Sequence, residues 1–104
     1  MAACKDVKFV ITNDRAQEIK ILKAQYYDTE REKWRTEDFG PWKIASKTTD
    51  SSTENLEYVK NQEVKIKIEW KYNTGGMHWS DAHTTEPQVI PKCSGGQTVK
   101  FIIT

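Results

Sequence analysis

The clearest feature of the chain is a stretch in which apolar and charged residues alternate. In residues 63–72, EVKIKIEWKY, every second position is apolar and the positions between them are charged. Successive side chains of a β-strand point to opposite faces, so this stretch predicts a strand with one buried and one solvated face. On a helix the same residues would leave no continuous apolar side. We expect the apolar face to lie in the core: Val64, Ile66, Ile68, Trp70 and Tyr72.

Similar apolar runs lie near the two ends of the chain. Residues 7–12 read VKFVIT and residues 99–104 read VKFIIT. Both predict short strands, and sandwich topologies often allow strands at the two chain ends to lie side by side in parallel. Their likeness fits either an internal repeat or two buried strands that use the same few residue types.

Residues 18–28 carry a shifted version of the same alternation. The alternation begins at Ile19 and Ile21, and from Leu22 onward the apolar residues fall on even-numbered instead of odd-numbered positions. A one-residue shift of this kind is what a β-bulge produces. The alternative is a helix over residues 16–27, and we favour the strand because of the initial alternation.

The connections are polar and contain the turn-forming residues. The charge-dense residues 29–40 predict a long loop or one short helix, which ends at the Gly40-Pro41 pair. Residues 49–55, TDSSTEN, predict an exposed turn. Further turns are expected at 73–76 and 94–96, and further short strands at 42–48, 77–79 and 88–90.

Seven to eight short strands separated by turn signals predict an all-β fold. We expect an antiparallel-rich β-sandwich or partly closed barrel that forms a single domain over residues 1–104, with the possible exception of one short helix in the 29–40 connection. A chain of 104 residues has the size of one domain.

The charge balance argues against a nucleic-acid partner. Sixteen basic residues face fifteen acidic ones, whereas nucleic-acid binders usually carry a basic excess. Lys65, Lys67 and Lys71 come close to a basic stripe, but Glu63 and Glu69 interrupt it, so a solvated strand face is expected. No apolar run approaches the roughly 20 residues of a transmembrane helix.

The chain contains no recognisable catalytic motif, so we expect neither an enzyme nor a cofactor. There is no Gly-x-Ser-x-Gly elbow, and the paired glycines lack the context of a phosphate-binding loop. His78, Asp81 and His83 have a spacing that could gather around zinc, but no firm fourth ligand is near. They are weak metal candidates, and a solvated loop is the simpler interpretation.

Tryptophans in or beside the predicted loops are the strongest candidates for ligand binding. Trp34, Trp42 and Trp79 can stack on sugar rings or lie at a lipid interface, and Arg31 and Arg35 flank Trp34. The alternative is that each tryptophan covers an open end of the core.

These features favour a small non-catalytic binding or adaptor module. It would recognise a protein or a carbohydrate through loop aromatics or a sheet edge. The alternative is a membrane-interacting β-sandwich, such as a toxin or cytolysin component that docks on lipid. The sequence does not indicate an oligomeric state.

The two cysteines bear on the compartment. If the end strands are parallel neighbours, Cys4 and Cys93 approach each other, and the Ser94-Gly95-Gly96 turn absorbs the difference in their distances from the strands. A disulfide would indicate a secreted or periplasmic protein. Two unrelated thiols, together with the lack of an apolar leader, would indicate a cytoplasmic one.

Overall fold

The alternating stretch forms most of the long strand β5 (Val64–Gly75) in the computed structural model, which describes residues 3–104. Val64, Ile66 and Ile68 are fully buried and Trp70 is only 8% exposed, so the predicted core face is confirmed. Eight further strands complete the described chain: β1 (Cys4–Asn13), β2 (Ile19–Asp28), β3 (Lys33–Ile44), β4 (Thr49–Leu56), β6 (His78–Trp79), β7 (His83–Thr84), β8 (Gln88–Ile90) and β9 (Thr98–Ile103).

The strands form two sheets that pack face to face. The smaller sheet has the order β4-β1-β9, and the larger one has the order β3-β2-β5, with the short strands β6, β7 and β8 along the far edge of β5. Strands β1 and β9 are parallel and every other pairing is antiparallel. The predicted antiparallel-rich sandwich is therefore confirmed, and the end strands are parallel neighbours, which is the arrangement that the disulfide hypothesis assumed.

Alternate residues of both sheets supply one hydrophobic core. Strand β1 contributes Val7, Phe9 and Ile11, all fully buried, while Val10 on its other face is partly exposed. The inward-facing residues of β2 lie in the same core both before and after a shift in the register of the strand. Leu22 is the extra residue there, because Ile21 and Lys23 pair with consecutive residues of β5. The strand with a bulge is thus confirmed for residues 18–28, and the helix is wrong.

Two predictions about polar segments are wrong. Residues 29–40 contain no helix and are not one long loop, because β3 begins at Lys33 and residues 33–38 pair with β2. Residues 49–55 are not a turn but most of β4, an edge strand whose outer backbone faces water. Polar edge strands of this kind lack the apolar alternation on which the sequence prediction depends.

The structure confirms that Cys4 and Cys93 form a disulfide. Their Cα atoms lie 5.7 Å apart and both residues are fully buried. The bond joins the start of β1 to the segment before β9. The turn at residues 94–96 accompanies it, and the N–H of Gly96 donates to the carbonyl of Lys5 at 2.9 Å.

Candidate functional site

Three lysines lie side by side on the outer face of the larger sheet. The register pairs Lys20 of β2 with Lys43 of β3 on one side and with Lys71 of β5 on the other. We call these three residues the lysine row. Neighbouring strands are about 4.8 Å apart, so the row spans about 10 Å across the sheet.

The lysine row has no acidic partner. Within residues 3–104, none of its three members forms an ion pair with a carboxylate. Like charges directly opposite each other on neighbouring strands destabilise a sheet. Packing of the hydrophobic core gives no reason for this arrangement, because the three side chains point away from the core. An external anion would relieve the repulsion.

Trp79 of β6 lies over the lysine row. The ammonium of Lys20 is 4.2 Å from the centre of its ring and that of Lys43 is 5.8 Å away, both within the range of cation–π attraction. The indole therefore reaches back across β5 towards β2. It places an aromatic surface directly beside the ammonium groups of Lys20 and Lys43.

The hairpin between β5 and β6 holds Trp79 in this position. The side chain of Asn73 accepts a hydrogen bond from the N–H of Gly75 at 2.7 Å and donates one to the carbonyl of Gly76 at 3.0 Å. Gly76 has a φ of +56°, a conformation that favours glycine. Met77 follows at the tip and is 93% exposed.

A second aromatic surface lies on the same face, towards the other end of β2. Trp34 packs edge-on against Tyr27 at 5.2 Å between ring centres, and the ammonium of Lys67 is 4.1 Å from the centre of the Trp34 ring. Trp34 remains 41% exposed. This surface and the lysine row are separated by about 20 Å, given a rise of about 3.3 Å per residue along β2.

The face between the two tryptophans carries its acidic residues in one band. Lys23 is paired with Asp38 on one side and Glu69 on the other, and its ammonium lies 3.4 Å from the Glu69 carboxylate. Taken together, six lysines and two carboxylates point outward from the three long strands: Lys20, Lys23, Lys43, Lys65, Lys67, Lys71, Asp38 and Glu69. A nearly neutral chain thus has one distinctly basic face.

Arg31 and Arg35 do not accompany Trp34. Both donate hydrogen bonds to the fully buried carboxylate of Asp28, and Arg35 also lies over the ring of Tyr58 at 4.2 Å. Burial raises the pKa of Asp28, but the hydrogen bonds from the side chain and backbone of Arg31 outweigh it and hold the pKa below its ordinary value. These contacts account for the two arginines as anchors of the β2–β3 hairpin.

Trp42 belongs to the opposite side of the larger sheet. It packs against Phe39 at 5.4 Å, and its indole N–H donates to the Asp50 carboxylate of β4 at 2.8 Å. It therefore links the edges of the two sheets. All three predicted tryptophans lie in strands, and only Trp34 stands in a segment that was expected to be a loop or a helix. Trp34 and Trp79 share the basic face.

The metal candidates are dispersed along the short strands. His78 lies in β6 and His83 in β7, with Asp81 exposed between them. His83 stacks on the ring of Trp70 at 5.0 Å between centres. No group of three or more potential ligands among residues 3–104 is arranged to hold a metal ion. No helix in that range is long and apolar enough to cross a membrane.

Sequence reasoning missed five members of the site: Lys20, Lys43, Lys71, Tyr27 and Lys67. Alternation alone places Lys20 and Lys43 on solvated faces of their strands. Only the register between three strands makes neighbours of them and Lys71.

Comparison with known proteins gives no family for this chain. No family model matches it, and no curated protein or solved structure is significantly similar to it.

Proposed function

We propose that this protein is a non-catalytic binding module that binds an acidic polysaccharide across the outer face of its larger sheet. The observation that carries the proposal is the lysine row with Trp79 lying over it. Ammonium groups pair with the sulfate or carboxylate groups of such a polymer, and an indole stacks on a sugar ring. Binding, rather than a reaction, is what cations and aromatic rings on a flat face support.

The second aromatic surface favours an extended ligand. Trp34 and Lys67 lie about 20 Å from the lysine row along β2, a distance that a single small anion cannot bridge. A linear polymer that runs along the strands would contact both ends and pass over the mixed charges around Lys23. The disulfide is typical of oxidising compartments, where acidic polysaccharides are exposed on cell surfaces.

The test is binding to heparin and to polygalacturonate, measured by titration calorimetry at two salt concentrations. We expect the triple variant Lys20→Gln, Lys43→Gln, Lys71→Gln to bind about tenfold more weakly, because it removes three exposed ion pairs. Its matched control replaces the same number of exposed lysines on the smaller sheet with glutamine: Lys5, Lys8 and Lys100.

The control variant should retain its affinity, and dextran, which is uncharged, should not bind. Trp79→Ala should weaken binding with little change in its salt dependence, because stacking is not screened by ions. Equal losses in the two triple variants, or no binding to either polymer, would contradict the proposal. Equally tight binding to a single-stranded oligonucleotide would redirect it to polyanions in general.

A second candidate function rests on Met77. Its exposed side chain stands at a hairpin tip next to Trp79 and the lysine row, and this combination also fits the surface of an anionic bilayer. Sedimentation with phosphatidylcholine vesicles, with and without phosphatidylserine, tests it. Membrane docking should be lost in Met77→Ser, whereas polysaccharide binding should not change in that variant.

A further inference from the structure

The two sheets do not end together on the side of β9. The smaller sheet stops at β9, whereas the larger sheet continues beyond β5 with the short strands β6, β7 and β8. Within residues 3–104, β1 is the only strand that pairs with β9. Strand β8 approaches β9 to within 8 Å between Cα atoms but does not pair with it, so the smaller sheet lacks a paired strand beyond β9.

A groove occupies the place of the missing strand. It has a volume of about 270 Å³, and it lies between β9 and the segment that includes β7. Cavities of about 150 Å³ already accept a benzene ring, so this groove has room for apolar side chains. The residues that line it include Trp70, Thr84, Thr85, Phe101 and Ile103.

The backbone of β9 offers hydrogen-bonding groups to this groove. Gln97 accepts a hydrogen bond from the N–H of Lys8 at 2.8 Å, and Ile103 accepts one from the N–H of Asp14 at 2.8 Å. Odd-numbered residues of β9 therefore direct their backbone groups towards β1. Because the direction alternates along a strand, Thr98, Lys100 and Ile102 direct theirs towards the free edge.

The free edge carries little of the protection that edge strands usually have. Strand β9 contains no proline and pairs with β1 without a bulge. Ile102 is 67% exposed beside the edge, and Lys100 is its one charged residue. Long apolar edges of this kind are templates for pairing with another chain.

We propose that the β9 edge binds an extended strand of a partner protein, which adds a fourth strand to the smaller sheet. The strand has apolar side chains at alternate positions, because one of its faces fills the groove against Trp70. It has an acidic side chain between them, because the exposed Lys100 lies on the outer face of β9. Main-chain hydrogen bonds supply affinity and the groove supplies specificity.

The first test uses the capped peptide Ac-TVEVTV-NH2 and the isotope-labelled protein. We expect shifted amide signals in β9 and a shifted indole signal of Trp70. Hydrogen exchange should slow at the amides of Lys100 and Ile102, which face the free edge. No shift at millimolar peptide, or shifts confined to β4 at the other end of the sheet, would overturn the proposal.

Two N-methylated versions of the peptide provide a control that leaves the protein unchanged. One is methylated at its odd positions and the other at its even positions, so only one of them blocks the N–H groups that face β9. We expect one version to bind at least about tenfold more weakly and the other to bind normally. Equal affinities of the two versions would exclude strand pairing.

A charge reversal at Lys100 tests whether the partner strand carries an acidic side chain on the outer face of the sheet. Lys100→Glu should weaken binding of the acidic peptide and strengthen binding of a version that has lysine in place of its glutamate. Lys5→Glu, an exposed residue of β1, serves as the matched control and should change neither affinity. If Lys100→Glu behaves like Lys5→Glu, the proposed chemistry of the partner strand is wrong.

Discussion

Asp28 shows how one buried charge shapes a segment whose conformation the sequence pattern left open. Its carboxylate is fully buried at the end of β2 and accepts hydrogen bonds from both Arg31 and Arg35. The backbone N–H of Arg31 also donates to it at 3.3 Å, which closes the turn into β3. A charge-dense stretch thereby becomes a strand.

Replacing Asp28 with asparagine should destabilise the fold by about 3 kcal/mol at pH 7, because two arginines lose their counterion. The folded-state pKa is lowered, so the contribution of Asp28 is present above the unfolded-state pKa of about 3.9 and is lost as the pH falls through the folded-state value. In urea denaturation, the variant and the original chain should therefore differ less in free energy of unfolding at pH 3 than at pH 7.

Asp14→Asn is the matched control for this prediction. Asp14 forms an exposed ion pair with Lys47 at 3.2 Å, and such pairs contribute at most about 1 kcal/mol. Equal losses in the two variants would show that Asp28 is not an anchor.

At the scale of the element, the bulge at Leu22 reconciles two alternating patterns in one strand. Ile19 and Ile21 before it and Ala24 and Tyr26 after it all face the core. Because side chains alternate with a period of two, an uninterrupted strand would have turned one of these pairs to solvent. The extra residue absorbs the difference.

Deleting Leu22 should be tolerated, because the remaining residues then alternate regularly and keep the same inward set. We expect a cost of about 0.5–3 kcal/mol and a cooperative urea transition. Deleting Gln25 instead would turn Tyr26 and Asp28 outward, and that variant should lose its cooperative transition. If both deletions behave alike, the bulge does not set the register.

At the scale of the whole molecule, the disulfide closes the chain into a loop. Cys4 and Cys93 are 89 residues apart in sequence, and the bond holds the start of β1 next to the segment that leads into its parallel neighbour β9. Parallel neighbours need a long connection, and here almost the entire chain provides it.

The double variant Cys4→Ser, Cys93→Ser should lose about 4–5 kcal/mol of stability on the loop-entropy account. That is a large part of the roughly 5–15 kcal/mol available to a small domain. Urea denaturation of the original chain with and without a reducing agent should show the same loss. An unchanged midpoint of the urea transition in both experiments would show that the disulfide does not stabilise the fold.

Features that are encoded between near neighbours along the chain could be predicted from the order of residues alone. The alternation of residues 63–72 specified strand β5 and its buried face, and the change of parity at Leu22 specified the bulge. These inferences succeed because strand geometry has a short, fixed period that the order of residues records directly. The disulfide, by contrast, was one of two alternatives that the sequence left open, and the structure decided between them.

Features that depend on which strand lies beside which follow only from the folded arrangement. Residues 33–38 and 49–55 are strands because β2 and β1 supply their hydrogen-bond partners, and their own residues carry no apolar period. The lysine row exists only because the register aligns Lys20, Lys43 and Lys71, which are up to 51 positions apart in the chain. Cross-strand neighbours are set by pairing over long sequence separations, and no local pattern contains that information.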